Sequence, residues 1–243
     1  MLTVENFTKK FENKVAVDDV SFHINPGEIF SLIGPNSSGK TTIVKSIVGL
    51  LFPDQGSILV GGDDVVLSPI KTKGVIGYIP DEPTVWSGMT GEEFLHFVGA
   101  LYEVEPEKRK TKINELLSLF SLQGIEKDYF ENYSRGNKQK FSILAALLHE
   151  PKLLLIDEPI VGLDPESATI AKSAFVQFAK EGGAILLVTH TLSVAEEIST
   201  RIGLLQAGKL VATGTMSELR KESDLGAKAK LEEVYAALTS RYN

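Results

Sequence analysis

The sequence predicts an α/β protein whose buried sheet carries a helical insertion of about sixty residues. Three observations point there. An apolar strand at 29–33 runs into a glycine-rich loop and then a helix. Uniformly apolar stretches return at 153–156 and 185–189, as expected of strands buried on both faces. Between them, residues 91–149 carry mostly helical spacing of apolar positions.

Residues 2–30 read as short alternating strands, with Val20, Phe22 and Ile24 on one face and a turn at Asn25-Pro26-Gly27. The helix after the glycine-rich loop is predicted over 41–51, with Ile43, Ile47 and Leu50 on one stripe. Strands are predicted at 57–60 and 75–79, and helices at 92–102, 107–120 and 138–149. After the strand at 153–156, helices at 165–180 and 193–199 flank the strand at 185–189. Gln206-Ala207-Gly208-Lys209 turns a hairpin within 203–213, and the tail from 217 is helical and charged.

Composition bounds the chemistry. The 243 residues are 43% hydrophobic and 23% charged, which excludes a disordered chain. With no cysteine there is no disulfide framework, thiolate zinc site, iron–sulfur cluster or cysteine nucleophile. The four histidines are scattered. The net charge of −7 disfavours nonspecific nucleic-acid binding. No stretch reaches the roughly 18–20 apolar residues of a membrane span. The N-terminus has no apolar signal segment, so a cytoplasmic chain is expected.

Gly34-Pro35-Asn36-Ser37-Ser38-Gly39-Lys40-Thr41 fits G-x-x-x-x-G-K-[ST], between strand and helix as that motif requires. Glycines let successive N–H groups converge on phosphate oxygens, and the helix N-terminus aims its positive end at the same anion. Lys40 is expected on the β- and γ-phosphates, the Thr41 hydroxyl on Mg²⁺, and Thr42 on a phosphate. The competing reading, a glycine-rich turn that matches by chance, does not account for the strand–loop–helix setting.

The apolar run 153–156 ends in Asp157-Glu158-Pro159. In a parallel sheet the carboxyl ends of the strands form the ligand edge, the edge that also holds the loop after Ile33. Asp157 is therefore expected beside the magnesium, and Glu158 where it orients or deprotonates an attacking water. An acidic loop capping the next helix is the alternative. His190 follows the strand at 185–189, and the same rule brings it to the γ-phosphate or to Glu158; it is equally well an ordinary polar loop residue. Ser134 caps the helix that follows it and Gly136 permits close backbone approach, making a second anion-binding helix start flanked by Arg135, Lys138 and Lys140. On spacing alone an ordinary capped helix explains it as well.

Taken together, in order, these motifs resemble the ATP-binding subunits of ATP-binding cassette (ABC) transporters over nearly the whole chain. GPNSSGKTT (34–42) resembles the Walker A loop, YSRGN (133–137) stands where the signature LSGGQ would be, and LLLIDEP (153–159) resembles Walker B with its glutamate. VGLDP (161–165) resembles the D-loop, and Thr189-His190 the switch histidine. The resemblance implies a P-loop NTPase (RecA-like) core with an N-terminal antiparallel β-subdomain and a helical insertion. The chain is then one cassette: β-subdomain and core about 1–84 and 150–215, helical subdomain about 85–149, and tail about 216–243.

It further implies an ATPase using ATP and Mg²⁺ in a head-to-tail pair of cassettes, either two copies or a related chain. Ser134 and Gly136 would complete the partner's site, and Asp164 would communicate across the pair. Phe11 would stack on adenine, unless it is simply a strand residue of the core. A separate integral membrane permease would dock on the helical insertion, placing the chain on the inner face of the membrane. Two departures stand out: Asp81 in GYIPDEP (77–83) occupies the usual glutamine position and is a candidate metal ligand, and the signature is degenerate. The closest subfamily pattern is that of bacterial ABC-2-type exporters, so export is expected. The rival is a non-transport ABC ATPase acting on nucleic acid or ribosomes; a single phosphate loop, no long heptad run and the negative charge weigh against it.

Overall fold

The computed structural model describes residues 1–12, 14–158, 160 and 162–240. Pro159 and Val161, members of two of the motifs, and residues 241–243 of the tail lie outside them.

Two sheets form the frame. β1 (Leu2–Phe11) and β2 (Lys14–Ile24) pair antiparallel, and β1 also pairs with β4 (Gln55–Val60), which is edged by β5 (Asp63–Asp64). The second sheet has the order β10-β9-β3-β8-β7-β6, comprising β3 (Ile29–Ile33), β6 (Ile76–Ile79), β7 (Leu153–Asp157), β8 (Ala184–Thr189), β9 (Arg201–Gln206) and β10 (Lys209–Gly214). Its pairs from β9 to β6 are parallel, and the hairpin β9–β10 closes one edge.

The apolar runs that look featureless in sequence divide their side chains by the period of two. Phe30, Leu32, Leu155, Leu186 and Val188 pack on the face toward α1 (Lys40–Ile47) and the antiparallel sheet. Ile29, Leu154, Ile156, Ile185 and Leu187 pack on the opposite face. There they meet α3 (Gly91–Leu101), α4 (Pro106–Leu119), α5 (Arg135–Leu148) and α6 (Pro165–Lys180). A third cluster joins Ile33 and Leu204 to α7 (Leu192–Ile198), α8 (Met216–Glu222) and α9 (Leu231–Thr239).

Helices α3–α5 fill the interval between β6 and β7. Phe94, Tyr133 and Phe141 gather edge-to-face around Phe130 in an aromatic knot at their centre, with Tyr133 tilted against Phe141. Tyr133 is therefore anchored: its ring is buried in this knot, and its hydroxyl donates to the Ile125 carbonyl.

Several elements differ from the sequence expectations. α1 stops at Ile47 rather than 51, because Gly49 at φ 72° terminates it: the Gly49 N–H donates to Ser46 O and the Leu50 N–H to Lys45 O, a Schellman closure. Leu50 is consequently exposed instead of continuing the buried stripe. α5 starts at Arg135, three residues before the predicted start, with the Ser134 Oγ accepting from the Asn137 N–H at 3.2 Å. The helical tail consists of two helices, and the short helix α2 (Pro69–Lys73) is additional to the expected elements.

Candidate functional site

Strand register determines which residues meet. Ile33 pairs with Thr189 across β3–β8, and Asp157 pairs with Val188 across β8–β7. Gly34 and His190 therefore leave the sheet at one level, with Glu158 one residue behind them, on strands roughly 4.8 Å apart. The Glu158 N–H still donates to Val188 O at 3.0 Å, continuing the ladder by one residue. Glu158 itself has φ 51°, a left-handed conformation that a non-glycine residue adopts at a cost of about 1–3 kcal/mol when the surroundings enforce it.

The surroundings do enforce it. Glu158 Oε2 accepts from the Thr189 hydroxyl at 2.9 Å, and Oε1 accepts from the His190 N–H at 2.6 Å and lies 2.6 Å from His190 Nδ1. Thr189 is in turn oriented by the Thr191 N–H, which donates to its Oγ1 at 2.9 Å. The carboxylate is thus fixed from two sides, while the His190 side chain remains 60% exposed toward the cleft. Thr189 is a positioning residue that the sequence reading named only as part of a motif; its place beside Glu158 depends on strand pairing over 31 residues of separation.

The loop between Ile33 and α1 is held close to the core. Gly39, at φ 110°, precedes the helix, and a Cβ there would lie 2.7 Å from Ala16 O. A Cβ on Gly34 would lie 2.2 Å from Leu205 O, so this glycine serves the loop's approach to β9. Lys40 is buried and folds back over the loop, its Nζ donating to Gly34 O at 2.7 Å and Pro35 O at 2.9 Å. Burial lowers the Lys40 pKa; the charges of Glu158 and Asp157 oppose that shift.

A cleft of about 870 Å³ opens over these groups. Asn36, Ser37, Gly39, Lys40, Thr41 and Thr42 form its floor, Asp157, Glu158 and His190 one wall, and Asp81 and Glu82 another. Phe11, 45% exposed, stands at its rim with Lys14 and Ala16 from the start of β2. Gly34, Pro35 and Ser38 belong to the same loop but do not line the cleft; Gly34 and Ser38 are buried and Pro35 is exposed. Tyr78, Lys45 and Arg135 also line the cleft, and sequence reasoning did not assign them to it. A second cleft of about 900 Å³, between α4, α5 and α6, is mainly apolar and contains none of the motif residues.

Three predicted residues lie away from the cleft. Ser134 caps α5. A Cβ on Gly136 would sit 2.8 Å from Gly162 O, so that helix start and the loop before α6 are in close backbone approach. Asp164 caps α6: Oδ1 accepts from the Ser167 N–H at 2.9 Å, Oδ2 from the Ser167 hydroxyl at 2.7 Å, and Lys140 lies 3.4 Å away. These bonds, led by Ser167, hold the Asp164 pKa down to about 2.

The Asp157 carboxyl is pushed up to about 6, first by burial, then by the charges of Glu158 and Asp81, against the opposing pull of Lys40 and Lys45. A carboxyl whose folded pKa is raised stabilises the fold fully below its unfolded value near 3.9 and loses that contribution as pH rises through about 6. Asp157→Asn is therefore expected to raise the Tm of the ligand-free protein at pH 7, with the gain vanishing near pH 4. Thermal denaturation at the two pH values tests this; an unchanged or lower Tm at pH 7 would contradict it.

The family model of the ABC transporter matches residues 17–161. The chain belongs to the ABC transporter family. It is an ATP-binding cassette, an ATPase subunit with a P-loop NTPase core. Among curated relatives, the linearmycin resistance ATP-binding protein LnrL of Bacillus subtilis (strain 168) is 36% identical over 90% of this chain and 70% of its own. The ABC-type transporter ATP-binding protein EcsA of the same organism is 33% identical over 98% and 96%. The lipopolysaccharide export system ATP-binding protein LptB of Haemophilus influenzae is 32% identical over 93% and 95%. A solved ATP-binding subunit of an ABC transporter superimposes with a TM-score of 0.95 at 32% identity, covering 98% of this chain and 99% of that one. A dimeric cassette in a post-hydrolysis state with ADP and Pi shares the fold, with a TM-score of 0.80 at 24% identity over 89% and 99%. Among the described residues no helix of the cassette is long and apolar enough to cross a membrane.

Proposed function

We propose that this cassette hydrolyses Mg-ATP in a head-to-tail pair of cassettes and powers export through a separate membrane permease. The observation that carries the reading is the convergence of Lys40, Asp157, Glu158 and His190 on one cleft over the phosphate loop.

The triphosphate lies along the loop, where Lys40 exchanges the carbonyls of Gly34 and Pro35 for phosphate oxygens. The residues fit a magnesium ion. The Thr41 hydroxyl, Asp157 and Asp81 are hard oxygen donors lining one cleft, and burial, followed by the charges of Glu158 and Asp81, raises the Asp157 carboxyl, so a cation there would relieve part of that cost. No group of three acidic or histidine residues closes a protein-only cage among the described residues. That suits an ion which takes one or two carboxylates and shares phosphate oxygens with its substrate. When bound, the ion neutralises charge on the phosphates. Glu158, held by Thr189 and His190, orients the attacking water and accepts its proton; His190 keeps an exposed edge for the γ-phosphate. Phe11 offers its ring to the base. Ser134 and Gly136, on either side of Arg135 at the exposed start of α5, complete the partner's site, with Asp164 next to them.

Exposed apolar side chains support a permease contact: Leu50 and Phe52 after α1, Leu67 and Ile70 at α2, and Trp86 edge-on to Phe97. The names of LnrL and LptB speak of resistance and export, and they support the outward direction. On this reading the chain sits on the cytoplasmic face of the membrane, held there by its partner.

The test is assembly. In the Glu158→Gln variant, Mg-ATP should convert the monomer to a dimer in analytical ultracentrifugation, and EDTA should reverse it. A variant that binds ATP and remains monomeric, alone and with its companion cassette, would overturn the composite site.

A further inference from the structure

We propose that Arg135 is a positioning residue that competes with the divalent cation for Asp81: it ties the loop after β6 to the start of α5 in the nucleotide-free chain and surrenders Asp81 when Mg-ATP binds. The inference rests on the reading of Asp81 as a metal-facing residue. Asp81 and Arg135 are two of the positions at which this chain departs from the family pattern, and they lie together. Arg135 Nη2 is 3.8 Å from Asp81 Oδ1, and both side chains are about half exposed, at 56% and 53%. Both line the nucleotide cleft with Lys40, Thr41 and Asp157.

The tie has a second strand. Gln139, one turn along α5, donates from Nε2 to the carbonyl of Pro80, the residue before Asp81, at 3.5 Å. On its other side the same helix start approaches Gly162, and Lys140 pairs with Asp164 at 3.4 Å. The first turn of α5 is therefore clamped between the loop that carries Asp81 and the loop that follows Glu158. Asp81 can serve the guanidinium or a cation beside Asp157, and a dication next to a triphosphate is the stronger claimant on a half-exposed carboxylate. Binding at the cleft then loosens one side of the clamp, which makes the start of α5 responsive to the nucleotide on its own chain.

The experiment uses the full chain. Binding of trinitrophenyl-ATP is titrated with Mg²⁺ in the wild type, Arg135→Ala, Arg135→Lys, Asp81→Asn and the double variant Asp81→Asn/Arg135→Ala. Arg135→Ala should lower the Mg²⁺ midpoint about two- to fivefold, the range an exposed ion pair can supply, and Arg135→Lys should restore most of it. In the Asp81→Asn background the Arg135→Ala shift should disappear. Hydrogen exchange without nucleotide should speed up at the first-turn amides of α5 in Arg135→Ala and Asp81→Asn alike. An equal Arg135→Ala shift in both backgrounds would mean long-range charge rather than competition and would overturn the inference alone. An unchanged midpoint in Asp81→Asn would overturn the metal-facing reading of Asp81, and the competition with it.

Discussion

Glu158→Gln should lower the rate of phosphate release by about 10²–10⁴-fold, the contribution of a positioned general base, while ATP still binds with near wild-type affinity. The substitution keeps the shape. A glutamine carbonyl can accept from the His190 N–H as Oε1 does at 2.6 Å, and its amide can face the Thr189 hydroxyl at the Oε2 position. It removes the negative charge that takes the proton from water. Because Glu158 is buried and sits in a left-handed conformation, it cannot be replaced by movement of the neighbouring Glu82, which belongs to another wall of the cleft. Single-turnover phosphate release and equilibrium nucleotide binding separate the two effects. Turnover within tenfold of the wild type would remove Glu158 from the reaction.

The second large effect concerns binding. Lys40→Ala should weaken ATP at least about thirtyfold, since a charged hydrogen bond is worth roughly 1.5–3 kcal/mol and Lys40 is placed to make more than one. The variant should also lose stability without ligand. Two loop carbonyls, Gly34 O and Pro35 O, would lose their donor, and Asp157 and Glu158 would lose a buried cation that interacts with both. Isothermal titration with ATP, together with thermal denaturation of the free protein, measures both. Unaltered affinity would mean that the loop does not hold the triphosphate.

The parts of the site legible in sequence are those whose chemistry is local. The loop 34–41 needs its glycines and lysine within eight residues, and an apolar strand ending in two carboxylates announces a sheet edge. The end of α1 was also written locally, in Gly49, but the apolar positions Leu50 and Leu51 outweighed it in the periodicity. What the sequence hid is pairing at a distance. Thr189 meets Glu158 because β7 and β8 are neighbours in a given register. Tyr133, a departure from the family pattern, is explained by an aromatic knot assembled from α3, α5 and the turn between α4 and α5. Arg135 finds Asp81 only because α5 packs behind β6.

The strand order has a consequence for biosynthesis. β3 leaves the ribosome before both of its neighbours, β8 and β9, which end at residues 189 and 206. Until some 160 further residues have been made, an apolar ribbon has no hydrogen-bonding mate on either flank, an arrangement that folds slowly and invites aggregation. Capture of ATP by the nascent polypeptide would therefore report synthesis through β9, and chaperone demand should peak while the α3–α6 stretch is being synthesised.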